Sequence, residues 1–450
     1  MPPTKRISSS KKKKKLSKNN SKGNGSKSIT PPDLNEVISQ ADIALETSDV
    51  DTALKLYTYA SSNLRKELQE RTENITTSEE EREATILSLS KVLGKMAEIK
   101  VSIGDHDGGR KDFTEATNLL NGEAVSNNPI SKAQWKEARA NLYLYLGQLT
   151  SCTDALNAFQ SAIGDLKNCI LLLDSVHQDS GMEQDHHVEN ALVETKRQLC
   201  GAYCSVAELY LTDLCYEPNA ESACEEALEL ALQLDDPKSP PDALQAMANL
   251  RLSQKRNEEA VNLVLNAYDR VREGCEAMAD LVGLSNKETE EMNDIDGEAK
   301  ELQGDALEAA NSLPGFEFRC QMAKLLLECA SLVDTIESFD DGKKKEQQNT
   351  CIEASIQVLG SLLAENDEVI EIWFLLGCAF TSTVPKNSQS ARYYFENSLE
   401  MLLKVKKIME QDDNEDEEAI ASLNEIDEKI KEVQEKLELL GDDDEDMNED

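Results

Sequence analysis

The sequence predicts an all-α fold, a solenoid of helical hairpins, from three observations. Aromatic residues make up 4% of the 450 residues, while charged residues make up 30%. Ala, Leu, Glu and Lys are frequent and β-branched runs are scarce, and residues of this kind lose little rotamer freedom in a helix. A pattern of small and large residues also recurs at helical spacing along the chain.

The recurring pattern is a small residue, a large residue four positions later and another small residue three positions after that. Offsets of 0, 4 and 7 lie on one stripe of a helix, where small residues let two helices approach and the larger residue fills the groove. This is the second-helix pattern of a tetratricopeptide unit. The candidates are Ala53/Tyr57/Ala60, Gly109/Phe113/Ala116, Ala155/Phe159/Ala162, Ala220/Cys224/Ala227, Ala260/Val264/Ala267, Ala354/Val358/Ser361 and Ala391/Phe395/Ser398.

The first-helix pattern of such a unit, W-x2-L-G-x2-Y, also occurs in the chain. The stretch IWFLLGCAF matches it with Trp373, Leu376, Gly377 and Phe380. The stretch PPDALQAMANLRLSQKRNEEAVNLVLNAY, residues 240–268, reads as a complete hairpin in which SQKRN is the interhelical turn. The same places are held there by Leu244, Met247, Ala248 and Arg251. We therefore predict a tetratricopeptide-type solenoid wound into a right-handed superhelix.

The organisation along the chain follows from composition. We predict a disordered basic tail over 1–30, a solenoid of about six to seven hairpins over 31–408, an acidic linker and an amphipathic capping helix over 409–440, and a disordered acidic tail over 441–450. A coiled-coil dimer arm is the alternative for the capping helix. Two polar runs, SNKETEEMNDIDGEAK (285–300) and FDDGKKKEQQ (339–348), are predicted to be loops.

The N-terminal tail carries ten basic residues and no acidic residue up to Ser28. Clustered lysines in a Ser-rich segment are typical of a nuclear-localisation patch, while a solubilising tail or weak RNA affinity are the alternatives. The predicted patch is Lys5, Arg6, Lys11, Lys12, Lys13, Lys14 and Lys15. We expect nuclear import factors as partners of this patch.

The rest of the chain is strongly acidic, with 37 basic residues against 87 acidic ones. Such a body repels phosphate backbones, so we expect no direct nucleic-acid binding and a basic protein segment as the partner. The 11 Cys have no CxxC pair, which indicates a reducing compartment. No apolar run approaches the roughly 18 residues of a membrane span, so we expect no membrane association, and a location in cytoplasm and nucleus.

The sequence offers no motif for catalysis. It has no phosphate-binding Gly loop, no GxSxG elbow and no HExxH helix. His186 and His187 are adjacent in a predicted acidic loop, where two side chains seldom point at one metal ion. We therefore expect no metal, no cofactor and no enzymatic activity.

A binding surface is expected on the first helices, which line the inner face of such a solenoid. A basic clamp for heat-shock protein tails would need Lys-x3-Asn on a first helix, and the predicted first helices have none. The inner-face positions are instead acidic or apolar, which suits an extended basic peptide with apolar anchors. They are Asp42, Glu98, Asp213, Glu328, Asp334, Glu371, Leu144, Leu209 and Phe374.

Three stretches carry a more specific resemblance: DALQAMANLRLSQKRNEEAV, LPGFEFRCQMAKLLLECASLVDTI and IEASIQVLGSLLAENDEVIEIWFLLG. Together they resemble the eukaryotic family of dedicated assembly chaperones for ribosomal protein four of the large subunit, over about residues 200–385. The resemblance implies a tetratricopeptide solenoid that binds the long basic internal loop of the new ribosomal protein and accompanies it to nuclear pre-ribosomes. The alternative is a general tetratricopeptide scaffold or an acidic histone-type chaperone.

Overall fold

The computed structural model describes residues 33–74, 77–179, 186–237, 241–287, 307–411 and 417–441. Within these ranges the regular secondary structure is helical and no strand occurs, so the predicted all-α fold is confirmed. The predicted basic tail and nuclear-targeting patch lie outside the described residues, and so does the predicted acidic tail beyond Gly441. The chain divides into two compact units, residues 1–234 and 235–450, each described separately below.

The first unit is a series of helical hairpins in which each helix packs against the next one along the chain. Short connections between neighbours make the paired helices antiparallel. The helices are α1 (Leu34–Glu46), α2 (Val50–Glu73), α3 (Glu79–Ser102), α4 (His106–Leu119), α5 (Pro129–Gln148), α6 (Cys152–Asp179), α7 (His186–Leu211) and α8 (Ala220–Gln233).

The second unit continues the hairpin pattern and ends on a single helix. Helix α10 packs against α9, α11 and α12, and from α11 onward each helix packs against the next. A short helical segment at 307–311 precedes α11. The helices are α9 (Asp242–Ser253), α10 (Asn257–Lys287), α11 (Phe316–Leu332) with a 3-10 turn at Val333–Thr335, α12 (Asp341–Glu365), α13 (Ile370–Thr381), α14 (Ser388–Met409) and α15 (Glu417–Leu439).

The seven predicted triplets lie on the second helices of the hairpins, α2, α4, α6, α8, α10, α12 and α14, and all of their residues are buried. Their predicted packing role is confirmed. Glycines on the first helices explain the close approach: a Cβ added at Gly147 would lie 2.6 Å from the ring of Phe159, and one at Gly377 would lie 2.5 Å from the ring of Phe395. Each glycine therefore makes room for a ring of the partner helix.

Three hairpins share one turn geometry that the sequence pattern did not reveal. The middle residue of the turn is left-handed in each case: Ser48 (φ 60°), Gly104 (φ 89°) and Lys255 (φ 60°). The backbone N–H of the next residue donates a hydrogen bond to a carbonyl oxygen in the last turn of the first helix. Asp49 donates to Ala44 and Asp105 donates to Lys100, both at 2.8 Å. This pattern closes a helix by satisfying its last carbonyl groups. It also confirms SQKRN as an interhelical turn.

Both predicted loops need correction. In FDDGKKKEQQ, Asp340 caps a helix by accepting the N–H of Lys343 at 2.8 Å, and α12 begins at Asp341. The polar residues were misread because Lys, Glu and Gln are good helix formers once a capping residue precedes them. In the other run, 285–287 belong to the end of α10, and 288–300 lie outside the described residues. His186 likewise starts α7 rather than lying in a loop.

Helix α15 packs along α14 through Ile430, Val433 and Leu440, which join Phe395 and Leu402 in one buried cluster. Partly buried Ile426 and Leu437 extend the same stripe, whereas Ile420 is 54% exposed. The stripe is thus covered within the chain, which is the arrangement of a capping helix. Little of it remains for a coiled-coil partner.

Candidate peptide-binding surface

The nine predicted inner-face residues fall in both units. The first unit holds Asp42, Glu98, Leu144, Leu209 and Asp213, and the second holds Glu328, Asp334, Glu371 and Phe374.

In the first unit, two of the predicted carboxylates act on one buried tyrosine. The hydroxyl of Tyr57 on α2, which is 0% exposed, donates a hydrogen bond to Asp42 on α1. Burial raises the pKa of Tyr57, and the charges of Asp42 and Glu98 raise it further. The hydroxyl therefore stays protonated and fixes the orientation of the Asp42 carboxylate. Asp42 itself is exposed.

Glu98 on α3 is the centre of a second set of contacts. The charge of this carboxylate acts on Tyr145 of α5, and one of its oxygens lies 3.1 Å from Lys95 Nζ. Tyr145 stacks on Phe113, with 4.9 Å between the ring centroids, yet it remains 38% exposed. Burial raises the pKa of Tyr145 to about 12, and Glu98 adds to the rise. Oriented carboxylates beside an exposed aromatic ring are suited to a cationic side chain.

The remaining predicted residues of this unit, Leu144, Leu209 and Asp213, differ in their surroundings. Leu144, next to Tyr145, and Leu209, in the last turn of α7, are both half-buried. Asp213 was predicted on a first helix, but it lies in the turn after α7. Its carboxylate accepts the N–H of Cys152, at 3.1 Å, where α6 begins. That prediction was wrong about its place, because α7 ends two residues earlier and Asp213 holds a neighbouring turn instead.

In the second unit, Glu371 in the first turn of α13 pairs with Lys324 of α11, with 2.8 Å between Nζ and Oε1. The hydrogen bond to Glu371 raises the pKa of Lys324. Glu328 is exposed and lies one turn beyond Lys324 on the same helix. A basic ligand at Glu371 would have to compete with Lys324, whereas Glu328 is accessible.

Asp334 and Phe374 do not join these groups. Asp334 is exposed in the 3-10 turn, and its carbonyl oxygen accepts a hydrogen bond from Lys344 Nζ at 2.9 Å. Phe374 was predicted to be an anchor for the ligand. Its ring lies 5.7 Å from that of Phe395 and packs against the cluster formed with α15. Phe374 is largely a packing residue of the terminal hairpin, because its ring contacts Phe395 of the partner helix α14.

The structure thus brings Asp42 and Glu98 together around Tyr57, and it separately places Glu328 one helical turn from Lys324, the partner of Glu371. Sequence reasoning missed Lys95, Tyr145 and Lys324 as partners of these carboxylates. The spacing of Lys95 and Glu98 on one helix is a signal that could have found the first pair. The other two contacts cross between helices and have no local signal.

The described residues show few features of other kinds of site. No group of three or more His, Cys, Asp or Glu side chains there could hold a metal ion. Judged by length and apolarity together, none of the helices in the described ranges is suited to crossing a membrane. An open groove on the second helices, between α2 and α4, is crossed by the ion pair of Arg65 and Glu115, with 2.9 Å between its atoms.

No protein-family model matches the chain. A protein of Schizosaccharomyces pombe named "Probable assembly chaperone of rpl4" is 28% identical over 256 residues, which are 57% of this chain and 55% of that protein. A protein of Emericella nidulans with the same name is 24% identical over 378 residues, 84% of this chain and 71% of that protein. The match to the first relative thus spans about half of that relative's length.

Among solved structures, the chain is similar to "Assembly Chaperone of RpL4 (Acl4) (Residues 1-338)", with a TM-score of 0.51 and 22% identity, covering 80% of this chain and 100% of that one. At this identity the likeness concerns the fold. The chain is therefore similar in sequence to two proteins named as probable assembly chaperones of rpl4 and similar in fold to the helical-repeat protein Acl4, which confirms the resemblance seen in the sequence.

Proposed function

We propose that this protein is a dedicated chaperone of a newly made, basic ribosomal protein of the large subunit, ribosomal protein four. It binds the long basic internal loop of that client, keeps the client soluble and delivers it to nuclear pre-ribosomes. The single observation that carries the proposal is the sequence likeness to the two proteins named as probable assembly chaperones of rpl4. The 87 acidic residues of the chain outnumber its 47 basic residues, which supports a basic client.

The physical role of the acidic surface is to stand in for RNA. A ribosomal protein away from its RNA exposes Lys and Arg side chains that would otherwise bind the wrong nucleic acid. We propose that Asp42 and Glu98 pair with such side chains beside the exposed ring of Tyr145, and that Glu328 and Glu371 do so in the second unit. Each exposed ion pair contributes only about 0.2–1 kcal/mol, so several must act together with apolar contacts.

We further propose that the protein is not an enzyme, that it works in cytoplasm and nucleus, and that import factors recognise the Lys-rich patch around Lys11 to Lys15. In support, the sequence has no catalytic motif, and a chaperone that accompanies its client to pre-ribosomes must enter the nucleus.

Co-purification followed by mass spectrometry tests the client. The protein, tagged and isolated from cells, should recover ribosomal protein four well above other ribosomal proteins. Recovery of heat-shock chaperones without ribosomal protein four would overturn the proposal.

Charge reversal tests the surface. Replacing Asp42, Glu98, Glu328 and Glu371 together by Lys should weaken binding of the basic loop by about 10- to 100-fold, since four favourable pairs become repulsive. Asp213 is left unchanged because it holds the N–H of Cys152. A matched control reverses four exposed carboxylates of α15: Glu425, Glu428, Glu432 and Glu435. Equal affinity of the two variants, both with native helicity, would show that the surface is misplaced.

The charge of the chain also favours a second candidate function, a general acidic chaperone of the histone type. With a formal net charge of -40, the protein would attract any basic polypeptide. This candidate predicts similar binding of unrelated basic proteins at one salt concentration.

A further inference from the structure

The turns that join first and second helices in the first unit have one charge sign. They occupy residues 42–51, 103–107, 145–154 and 208–221, which together contain eleven acidic residues and no Lys or Arg. Lys100, in the last turn of α3 just before the second stretch, is paired with Asp112. We call these four stretches the turn edge. The corresponding turns of the second unit carry Lys255, Arg256, Lys343, Lys344, Lys345 and Lys386 beside their acidic residues.

Contacts hold the four turns of the edge side by side. The charge of Glu98 in the second hairpin raises the pKa of Tyr57 in the first. Phe113 of the second hairpin stacks on Tyr145 of the third, with 4.9 Å between centroids. Asp213 of the fourth hairpin accepts the N–H of Cys152 in the third. The edge is therefore one continuous surface within this unit.

Each turn of the edge also exposes one large apolar or aromatic side chain. These are Ile43 (56% exposed), Ile103 (57%), Tyr145 (38%) and Tyr216 (98%), and each lies in the last turn of a first helix or just after it. Exposed apolar residues scattered singly need no explanation, but one such residue beside each of four successive acidic turns is typical of an interaction surface.

Helix capping explains only part of the acidity. Asp49 and Asp105 cap α2 and α4, and Asp213 holds Cys152. Glu46 and Glu208, however, lie in the last turns of α1 and α7, where the helix dipole favours cations. No basic residue lies in the last turn of α1, α5 or α7. The charge at those ends is unfavourable for the helices and complementary to a basic ligand.

We propose that the ligand of the turn edge is the protein's own N-terminal head, residues 1–28. The head carries ten basic residues and no acidic one, and Ile7 and Leu16 supply apolar side chains among them. It is joined to α1 within the first unit, so its local concentration is high without any partner. The link between Lys15 and Asp33 can extend to about 60 Å, whereas α1 itself is only about 20 Å long. The head therefore reaches the first turn of the edge, at the end of α1, and a client-free chain keeps its own acidic edge occupied.

Zero-length carbodiimide cross-linking of the full chain tests this contact, since it joins Lys to Asp or Glu only at salt-bridge distance. Lys11 to Lys15 should cross-link to the turn edge, above all to Glu46, Asp51, Glu208 and Glu217. The variant that replaces these four residues by Gln or Asn should lose the cross-links. Wild type should also lose them at 0.5 M salt, where the Debye length is only about 4 Å. The control variant with Gln at Glu425, Glu428, Glu432 and Glu435 should keep them. Cross-links spread equally over both units, or absent from the edge, would overturn the proposal.

Competition gives an independent readout. A synthetic peptide of residues 1–28 should bind the chain that lacks its first 28 residues at least about threefold more tightly than wild type, because the tethered head competes for the edge. The four edge substitutions should remove this difference. Equal affinity of the peptide for the two chains would overturn the proposal, while leaving the proposed client untouched.

Discussion

Gly377 gives the sharpest test of hairpin packing, because replacing it by Ala sets two effects against each other. At an exposed position inside a helix, replacing Gly by Ala stabilises the folded protein by about 0.8–1 kcal/mol. Here the new Cβ would lie 2.5 Å from two carbon atoms of the Phe395 ring, which is 0% exposed and has no room to move. Overpacking of this kind costs about 1–3 kcal/mol. We expect Gly377→Ala to destabilise the protein by up to about 2 kcal/mol, because the cost of overpacking exceeds the gain in helix propensity.

The matched control is Gly360→Ala in α12, where no atom lies within 4 Å of the added Cβ. This variant should be more stable than wild type by roughly 1 kcal/mol. Urea unfolding followed by far-UV circular dichroism should therefore move the two midpoints in opposite directions. The double variant Gly377→Ala/Phe395→Leu should lose less stability than the sum of the two single losses, because the smaller side chain removes the clash. A Gly377→Ala chain as stable as the Gly360→Ala chain would refute the packing argument.

Three further predictions concern buried groups. Arg319→Ala should cost about 1–3 kcal/mol in urea unfolding, because the buried Arg319 side chain donates hydrogen bonds to Ser361 and to the Pro314 carbonyl and pairs with the half-exposed Glu365; a loss below about 1 kcal/mol would contradict the contact. The free energy of unfolding should fall from about pH 9 to pH 12, because burial raises the pKa of Cys169 from the ordinary 9.0 to about 11 and those of Tyr145 and Tyr268 from the ordinary 10.0 to about 12; a rise over that range would contradict this. Alkylation at pH 8 should modify exposed Cys152 and Cys215 first, and should reach the buried cysteines only on unfolding, as mass spectrometry of the labelled peptides will show. The buried set is Cys169, Cys224, Cys275, Cys320, Cys329 and Cys351.

The second helices could be predicted from the sequence because the packing pattern is local. Offsets of 0, 4 and 7 place three residues on one stripe whatever the tertiary structure, and all seven triplets are buried. The place of Arg251 was also predicted correctly, although an arginine holds a position where the repeat usually has an aromatic residue. It is 6% exposed and reaches Glu259, at 3.3 Å, across the hairpin turn.

The binding surface was harder to predict, since it depends on contacts between helices. Asp213 falls outside its helix because α7 ends at Leu211, and the salt bridge of Glu371 needs Lys324 from another hairpin. Phe374 reads as an open anchor until its contact with Phe395 of α14 is known. Helix ends and inter-helix partners are therefore where a periodic pattern stops being informative.

The central claim is that this acidic repeat protein selects one client. The most direct measurement is the affinity of the full chain for the internal loop of ribosomal protein four and for an equally basic peptide of scrambled sequence, by titration calorimetry at a single salt concentration of about 0.15 M, where the Debye length is about 8 Å. A dedicated chaperone should bind the native loop at least about tenfold more tightly, a difference of roughly 1.4 kcal/mol. Equal affinities for the two peptides would contradict the account and favour a general acidic chaperone.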